Sequence, residues 1–246
     1  MSSVVVKNLY KSYEDQDLDR NYVLDDINFE AEENEFICIL GKSGCGKSTL
    51  LNLLAGFIKP DKGEIHVAGK LVEKPSVDRG VVFQEHALFP WCTVLENVAF
   101  GPKLAGQKDA EELARKLIDM VGLKGYENNY PGSLSGGMAQ RVGIARALAT
   151  NPKLLLMDEP LGALDAMTRE NMRTELLRIW KETKKTIIMI THSISEAVYL
   201  ADRVIVLKKG RICFNEKIEI DRPRVASDDK FIHYAKLLEN ILLDTN

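Results

Sequence analysis

The sequence has no run approaching the roughly 18 consecutive apolar residues that a helix needs to cross a bilayer. Its opening, "MSSVVVKNLYKSYEDQ", lacks a basic segment followed by an apolar one, so no secretory leader is expected. A cytosolic protein without a membrane span of its own is the expectation. An excess of basic charge is missing too. The 33 Lys and Arg stand against 36 Asp and Glu, a net charge of -3, whereas nucleic-acid binders carry strongly basic faces, so no nucleic-acid partner is expected. Cysteine is scarce, with four residues at 38, 45, 92 and 213 and no Cys-x-x-Cys pair, which argues against zinc and redox motifs and for reduced thiols. Among only four histidines no pair has metal-ligand spacing. Internal repeats and low-complexity linkers are absent as well.

What is present is an ordinary globular composition: 246 residues, 45% hydrophobic and 28% charged, enough to bury a sizeable core. One domain over 1–246 is expected. Short apolar strands alternate with longer helical patterns, which predicts an α/β fold with a largely parallel sheet. Strands are predicted over 4–9, 22–29, 36–40 and 64–67, partly antiparallel, with a turn at Ala68, Gly69 and Lys70. Further strands are predicted over 80–83, 154–157, 186–190 and 203–207, and their apolar cores suit a sheet buried on both faces. Helices are predicted over 47–57, 109–121, 136–149, 165–183 and 194–201. The segment 228–243 places Phe231, Tyr234, Leu238, Ile241 and Leu242 at helical spacing and is expected to pack on its own domain.

The segment "ICILGKSGCGKSTLLNLLAG" sets Gly41, Lys42, Ser43, Gly44, Cys45, Gly46, Lys47 and Ser48 between an apolar strand and a helix, the pattern G-x-x-x-x-G-K-[ST] in its required context. Glycines let successive backbone N–H groups turn toward a phosphate, and the helix start adds its positive dipole end. Lys47 is expected to reach the β and γ phosphates of ATP, and Ser48 to ligate Mg²⁺. The competing reading, a glycine-rich surface turn, does not account for that flanking strand and helix. Cys45 lies inside the loop as a small residue fitting a crowded turn, though oxidation there would block nucleotide.

A second apolar strand, "LLLMDEP", ends in Asp158 and Glu159, one carboxylate to hold Mg²⁺ and the next to polarise water. The stretch "SLSGGMAQRVGIARALA" opens a helix at Ser135, Gly136 and Gly137, a second anion site in a chain that already has one.

Taken together, "GKSGCGKST", "LSGGMAQR", "LLLMDEP", "LGALD" and the "ITH" after a strand resemble the nucleotide-binding subunit of an ABC transporter, over about residues 4–214. The resemblance implies a P-loop NTPase ABC ATPase fold with a mostly parallel core sheet, an antiparallel β subdomain and a helical subdomain over about 88–150. It implies an ATPase in which two copies close head to tail around two ATP molecules. Carried onto this sequence, the loop through Thr49 binds ATP, Tyr13 stacks on adenine, and Ser135, Gly136 and Gly137 face the γ-phosphate held by the other copy. Asp165 then lies across the dimer seam, His192 senses the γ-phosphate, and Glu159 is the general base. Gln84 meets Mg²⁺ and the attacking water. For Tyr13 a buried strand tyrosine, and for His192 a capping or core histidine, are the structural alternatives.

Three positions depart from the family pattern. Ser193 replaces an aspartate after His192, but "SISE" reads as a capping box that keeps the helix start. Asn34 replaces a glycine at a turn expected to want positive φ, which asparagine tolerates. Ala139 stands where a polar residue is common in the signature.

A DNA-repair relative would carry a coiled-coil insertion or zinc cysteines, and a translation factor two cassettes in tandem. A soluble ABC ATPase of assembly or repair stays as the alternative to a transporter motor. The wording "DRGVVFQEHALFPWCTVLENVAFG" and "SEAVYLADRVIVL" resembles the nitrate, sulfonate and taurine importer group. It implies two permease chains, a substrate-binding protein acting through them, and a place on the cytoplasmic face of the membrane. In "FQEHALFPWCTV" the corner Phe89, Pro90, Trp91, Cys92 is expected to form a groove beside Gln84 for a short permease helix, with Leu88 in the core.

Overall fold

The computed structural model describes residues 2–13, 22–85 and 87–243, so His86 of the aromatic stretch lies outside the described residues. In chain order the elements are β1 (Ser2–Lys11), β2 (Leu24–Glu32), β3 (Phe36–Leu40), α1 (Lys47–Ala55), β4 (Lys62–Val67), β5 (Lys70–Leu71) and β6 (Arg79–Val82). There follow α2 (Val94–Leu104), α3 (Ala110–Met120), a 3₁₀ turn at Pro131–Ser133, α4 (Gly136–Leu148), β7 (Leu154–Asp158) and α5 (Ala166–Thr183). The chain closes with β8 (Thr186–Ile190), α6 (Ile194–Leu200), β9 (Arg203–Lys208), β10 (Arg211–Lys217) and α7 (Asp229–Leu243). It divides into two compact units, Met1–Ser76 with Thr186–Asn246, and Val77–Lys185.

In the first unit, β2, β1, β4 and β5 form an antiparallel sheet. β2 alternates buried and exposed side chains after its first turn, as a sheet solvated on one face does. Beside it, β3 pairs in parallel with β8 and with β9, while β10 adds an antiparallel edge. Every residue of β3, "FICIL", and of β8, "TIIMI", is buried, because both faces of these strands are covered. The hairpin from β9 to β10 was not anticipated; its short apolar content, "RICFNEK", exposes alternate residues and carries only a weak strand signal.

Two polar devices hold this unit's ends. Glu35, 6% exposed, takes both Arg203 Nε at 2.8 Å and Nη2 at 2.6 Å, a bidentate pair tying the start of β3 to β9. Arg224, 4% exposed, donates from Nη1 to Val198 O and Ala201 O, both at 2.6 Å, closing the carboxyl end of α6. Burial lowers its pKa to about 10, so the cation persists at neutral pH. α7 packs on α6 and β9, burying Phe231 and Leu238.

In the second unit β6 and β7 pair in parallel, and α2, α3, α4 and α5 pack beside them. α2 was not expected. Its start carries a complete capping box: Thr93 Oγ1 accepts from Glu96 N at 3.2 Å, and Glu96 Oε2 accepts from Thr93 N at 2.7 Å. The pattern T-x-x-E in "TVLE" produces it.

Asn34 sits at φ 62°, the left-handed region that a glycine would occupy without strain, and its N–H donates to Thr186 Oγ1 at 3.1 Å. Asn34→Val is therefore expected to lower unfolding stability in urea by about 1–2 kcal/mol. Asn34→Gly should stay within about 0.5 kcal/mol of the parent chain.

Candidate functional site

In the first unit the parallel register sets the site. β3 ends at Leu40 and β8 at Ile190, and Thr191 N donates to Ile39 O at 3.2 Å, so the loop after β3 and the residue His192 leave the same edge of the sheet. The carboxyl edge of a parallel sheet is where open α/β folds bind ligands.

The loop from Gly41 to Gly46 is crowded from behind. A Cβ on Gly41 would lie 2.5 Å from both Cys45 Sγ and Leu207 O. Gly46 holds φ at 102°, and a Cβ there would sit 2.8 Å from Val23 O. Only glycine fits either place. Lys47, buried to 7% exposure, donates from Nζ to Gly41 O at 2.8 Å and Lys42 O at 3.0 Å. The loop thus folds around an ammonium group, and Ser48 is exposed at the start of α1. Half-buried Cys45 has its thiol pKa pushed up, chiefly by desolvation, so it is a weakly reactive thiol at neutral pH.

Tyr13 is not a buried strand residue: it is 63% exposed, and its hydroxyl lies 3.3 Å from Thr49 Oγ1 at the end of the phosphate loop. An aromatic ring is thus presented to solvent at the start of α1. His192 is exposed on the turn before α6. Ser193 caps that helix by accepting from Glu196 N at 3.3 Å, but the buried Glu196 carboxylate accepts from Thr191 Oγ1 at 2.5 Å. Thr191 Oγ1 in turn accepts from Ser193 N at 3.0 Å. The expected capping box is therefore built around the threonine just before His192, which fixes the turn on both sides of the histidine.

In the second unit Asp158 ends β7 and is half-buried, as is Glu159. Glu159 takes φ 43°, a left-handed conformation uncommon for a residue with a side chain, and its carbonyl accepts from Gly162 N at 3.0 Å. A Cβ on Gly162 would lie 3.6 Å from Glu159 Oε2 and 3.5 Å from Gln84 Nε2. Gln84 and Glu159, 75 positions apart in sequence (159 minus 84), thus converge on one glycine. Gln84 follows β6, which ends at Val82.

Ser135 caps α4, accepting from Met138 N at 3.3 Å, with Ser135 and Gly136 exposed. A Cβ on Gly137 would lie 2.6 Å from Thr168 Cγ2, so the signature glycine lets α4 approach α5 closely. Thr168 is also the residue whose N–H caps onto Asp165 Oδ1 at 3.0 Å. The signature and the aspartate after it are thereby built against one another. Arg146, on the last turn of α4 and not singled out in the sequence, donates to Ala87 O at 2.7 Å and lies 5.4 Å over the Phe89 ring.

A groove of about 640 Å³ is lined by Gln84, Glu85, Ala87, Leu88, Pro131, Ala139 and Ala163. Leu88 therefore lines the groove and is only half-buried, not part of the core as expected. Phe89 and Trp91 stand outside the groove lining. Phe89 stacks 4.7 Å from Phe100 and 5.7 Å from Trp91, which is 73% exposed.

The Asp165 carboxyl titrates below the ordinary aspartate range, first because of the Thr168 hydrogen bonds. A depressed value means the cap stabilises the fold fully above the unfolded-state pKa and is lost as pH falls through the lowered folded value. The stability difference between the parent chain and Asp165→Ala is accordingly expected to be constant near neutral pH and to vanish in acid, measured by urea unfolding against pH.

A family profile described as ABC transporter matches residues 24–162. An uncharacterized ABC transporter ATP-binding protein of Methanocaldococcus jannaschii is 51% identical over 243 residues, covering 97% of this chain and 91% of that one. The taurine import ATP-binding protein TauB of Escherichia coli O157:H7 is 54% identical over 190 residues, 76% of this chain and 74% of that one. Among solved structures, a dimeric ATP-binding cassette in a post-hydrolysis state bound to ADP and phosphate superposes with a TM-score of 0.75 at 34% identity, covering 89% of this chain and all of that one. With its phosphate loop, its Ser-Gly-Gly helix start and its strand-end Asp-Glu pair, the chain belongs to the ABC transporter family as one of its ATP-binding, ATP-hydrolysing subunits.

Proposed function

We propose that this chain is the motor of an importer for taurine or a related sulfonate, or for nitrate, with its membrane part on separate permease chains. The observation that carries the reading is the second anion-binding helix start, Ser135 to Gly137, in a chain whose Gly41 to Thr49 loop is already complete. One chain has no use for two such sites on one γ-phosphate, but two chains closing head to tail would use both. The dimeric cassette with ADP and phosphate supports that arrangement, and the likeness to a taurine import protein supports the cargo class.

In this reading Lys47 and the loop amides bind the phosphates, Thr49 and Tyr13 flank the nucleoside, and Asp165 lies at the dimer seam. Glu159 accepts a proton from the attacking water, Gln84 orients that water, and His192 contacts the γ-phosphate. Ser48, Gln84 and Asp158 are the residues assigned to Mg²⁺. Their hydroxyl, amide and carboxylate oxygens are the hard donors this ion takes. Among the described residues no group of three or more His, Cys, Asp or Glu is placed to hold a metal, so such an ion would draw its remaining ligands from phosphate and water. When bound, it would neutralise charge on the phosphoryl oxygens.

The groove beside Gln84 and the exposed aromatic corner after it are the proposed dock for a short permease helix. No helix among the described residues is long and apolar enough to cross a membrane, so attachment at the cytoplasmic face would run through this dock. A substrate-binding protein would act through the permease.

Glu159→Gln is expected to keep ATP binding, lose at least about a thousandfold in turnover, and trap an ATP-bound dimer visible by light scattering. A variant that stays monomeric and turns over normally removes Glu159 from the role of base. Purified with its permease, the chain should show ATPase activity raised by a binding protein loaded with taurine or another small sulfonate. Stimulation only by a cargo unrelated to sulfonates or nitrate would overturn the cargo class, and no stimulation by any loaded binding protein would overturn the importer assignment.

A further inference from the structure

Asn97 is a polar side chain with no exposed surface, on the first turn of α2, and none of the roles above uses it. Its carboxamide is committed to the corner before the helix. Oδ1 accepts from Phe89 N at 2.8 Å. Nδ2 donates to Phe89 O at 3.1 Å, Cys92 O at 3.0 Å and Thr93 O at 3.0 Å. The orientation of the amide is decided by its partners, because Phe89 N–H can only donate and three carbonyls can only accept.

Of these partners, Phe89 and Cys92 are the two ends of a single turn, and Thr93 is the cap of α2 that follows it. Cys92 N donates to Phe89 O at 3.1 Å, which closes Phe89, Pro90, Trp91 and Cys92 as a β-turn with proline at its second position. Pro90 sets φ there, and Trp91, the third residue, projects with 73% of its surface exposed. Asn97 grips both the first and the last residue of this turn, and α2 beneath it is fixed by the Thr93 and Glu96 capping box. Exposed tryptophan on a rigid support is the kind of group that dominates binding energy, and rigid presentation lowers the ordering cost of association.

We infer that Asn97 is a positioning residue for the permease contact: it pre-forms the turn that presents Trp91, so that permease binding and coupling depend on it while nucleotide chemistry does not. The inference rests on the reading of this corner as the permease dock. Asparagine suits the task because one planar group supplies an acceptor and two donors in the short span between a turn and a helix. Aspartate has the same shape but, ionised, turns a second acceptor toward three carbonyls.

The test uses the chain co-purified with its permease subunits, comparing Asn97→Asp, Pro90→Gly and Trp91→Ala with the parent. Three quantities are read: permease retention, the ratio of permease-stimulated to basal ATPase, and the thermal midpoint of the isolated chain. At neutral pH Asn97→Asp is expected to lower retention at least about tenfold, equivalent to about 1.4 kcal/mol. A carboxyl buried among carbonyls binds its proton above the usual aspartate value, and the protonated form can again donate. Retention relative to the parent should therefore recover as pH falls through that raised value, a response that a general packing defect would not give.

Pro90→Gly loosens the same turn without orphaning a buried group, and should also lower retention, which covers the case in which Asn97→Asp does not fold. Parent-like retention in both variants overturns the positioning role. If Trp91→Ala keeps the permease, the docking reading fails and the positioning role falls with it. If Trp91→Ala loses the permease while the other two variants keep it, the dock stands and only the role of Asn97 is lost.

Discussion

The parallel pairing of β3 with β8 is the constraint on which the first half of the site depends. Each strand is five residues long and wholly buried, so a slip in register would move every side chain and is strongly opposed. With Phe36 opposite Ile187 and Ile39 opposite Ile190, the phosphate loop and His192 must leave the sheet together. Arg203 on Glu35 at one end, and Arg224 on the carbonyls of α6, hold the neighbouring pieces to that frame. None of these polar groups touches the site; they keep the strand ends from drifting.

The assigned site holds positions of restricted backbone conformation, as do Asn8, Asp26 and Lys184 away from it. Glu159 sits in the left-handed region, and Gly46 and Gly41 occupy places that a Cβ could not. The Lys47 ammonium is buried, with only loop carbonyls as its described partners. The loop thus wraps its own cation, and Lys42 O also accepts from Cys45 N at 3.3 Å, which closes the turn. In the second unit Gln84 and Glu159, distant in sequence, are brought to one small residue, Gly162.

Legibility followed the reach of each interaction. The phosphate loop, the Asp-Glu strand end and the signature helix start are contiguous segments whose chemistry is written in neighbouring residues, and their elements could be placed from the pattern alone. Asn34 was read correctly as a positive-φ position because turn chemistry is local. The SISE box was read only in part, since Glu196 found Thr191, a partner from outside the four-residue pattern. α2 was not expected, although its capping box is local and stands in "TVLE". Leu88 was placed in the core on hydrophobicity alone, yet it lines a groove, which depends on Pro131, Ala139 and Ala163 from distant segments.

What the sequence by itself determined is a set of local chemical groups: a glycine-rich loop around a lysine, a Ser-Gly-Gly helix start, and two carboxylates at a strand end. These follow from backbone geometry and side-chain charge within a few residues. Only the tertiary structure decided which distant groups come together: Gln84 and Glu159 around Gly162, Gly137 with Thr168, Arg146 with Phe89, and Asn97 with both ends of the turn that carries Trp91. Such meetings depend on how helices and strands pack, and packing satisfies buried polar groups with whatever partner the fold brings within reach.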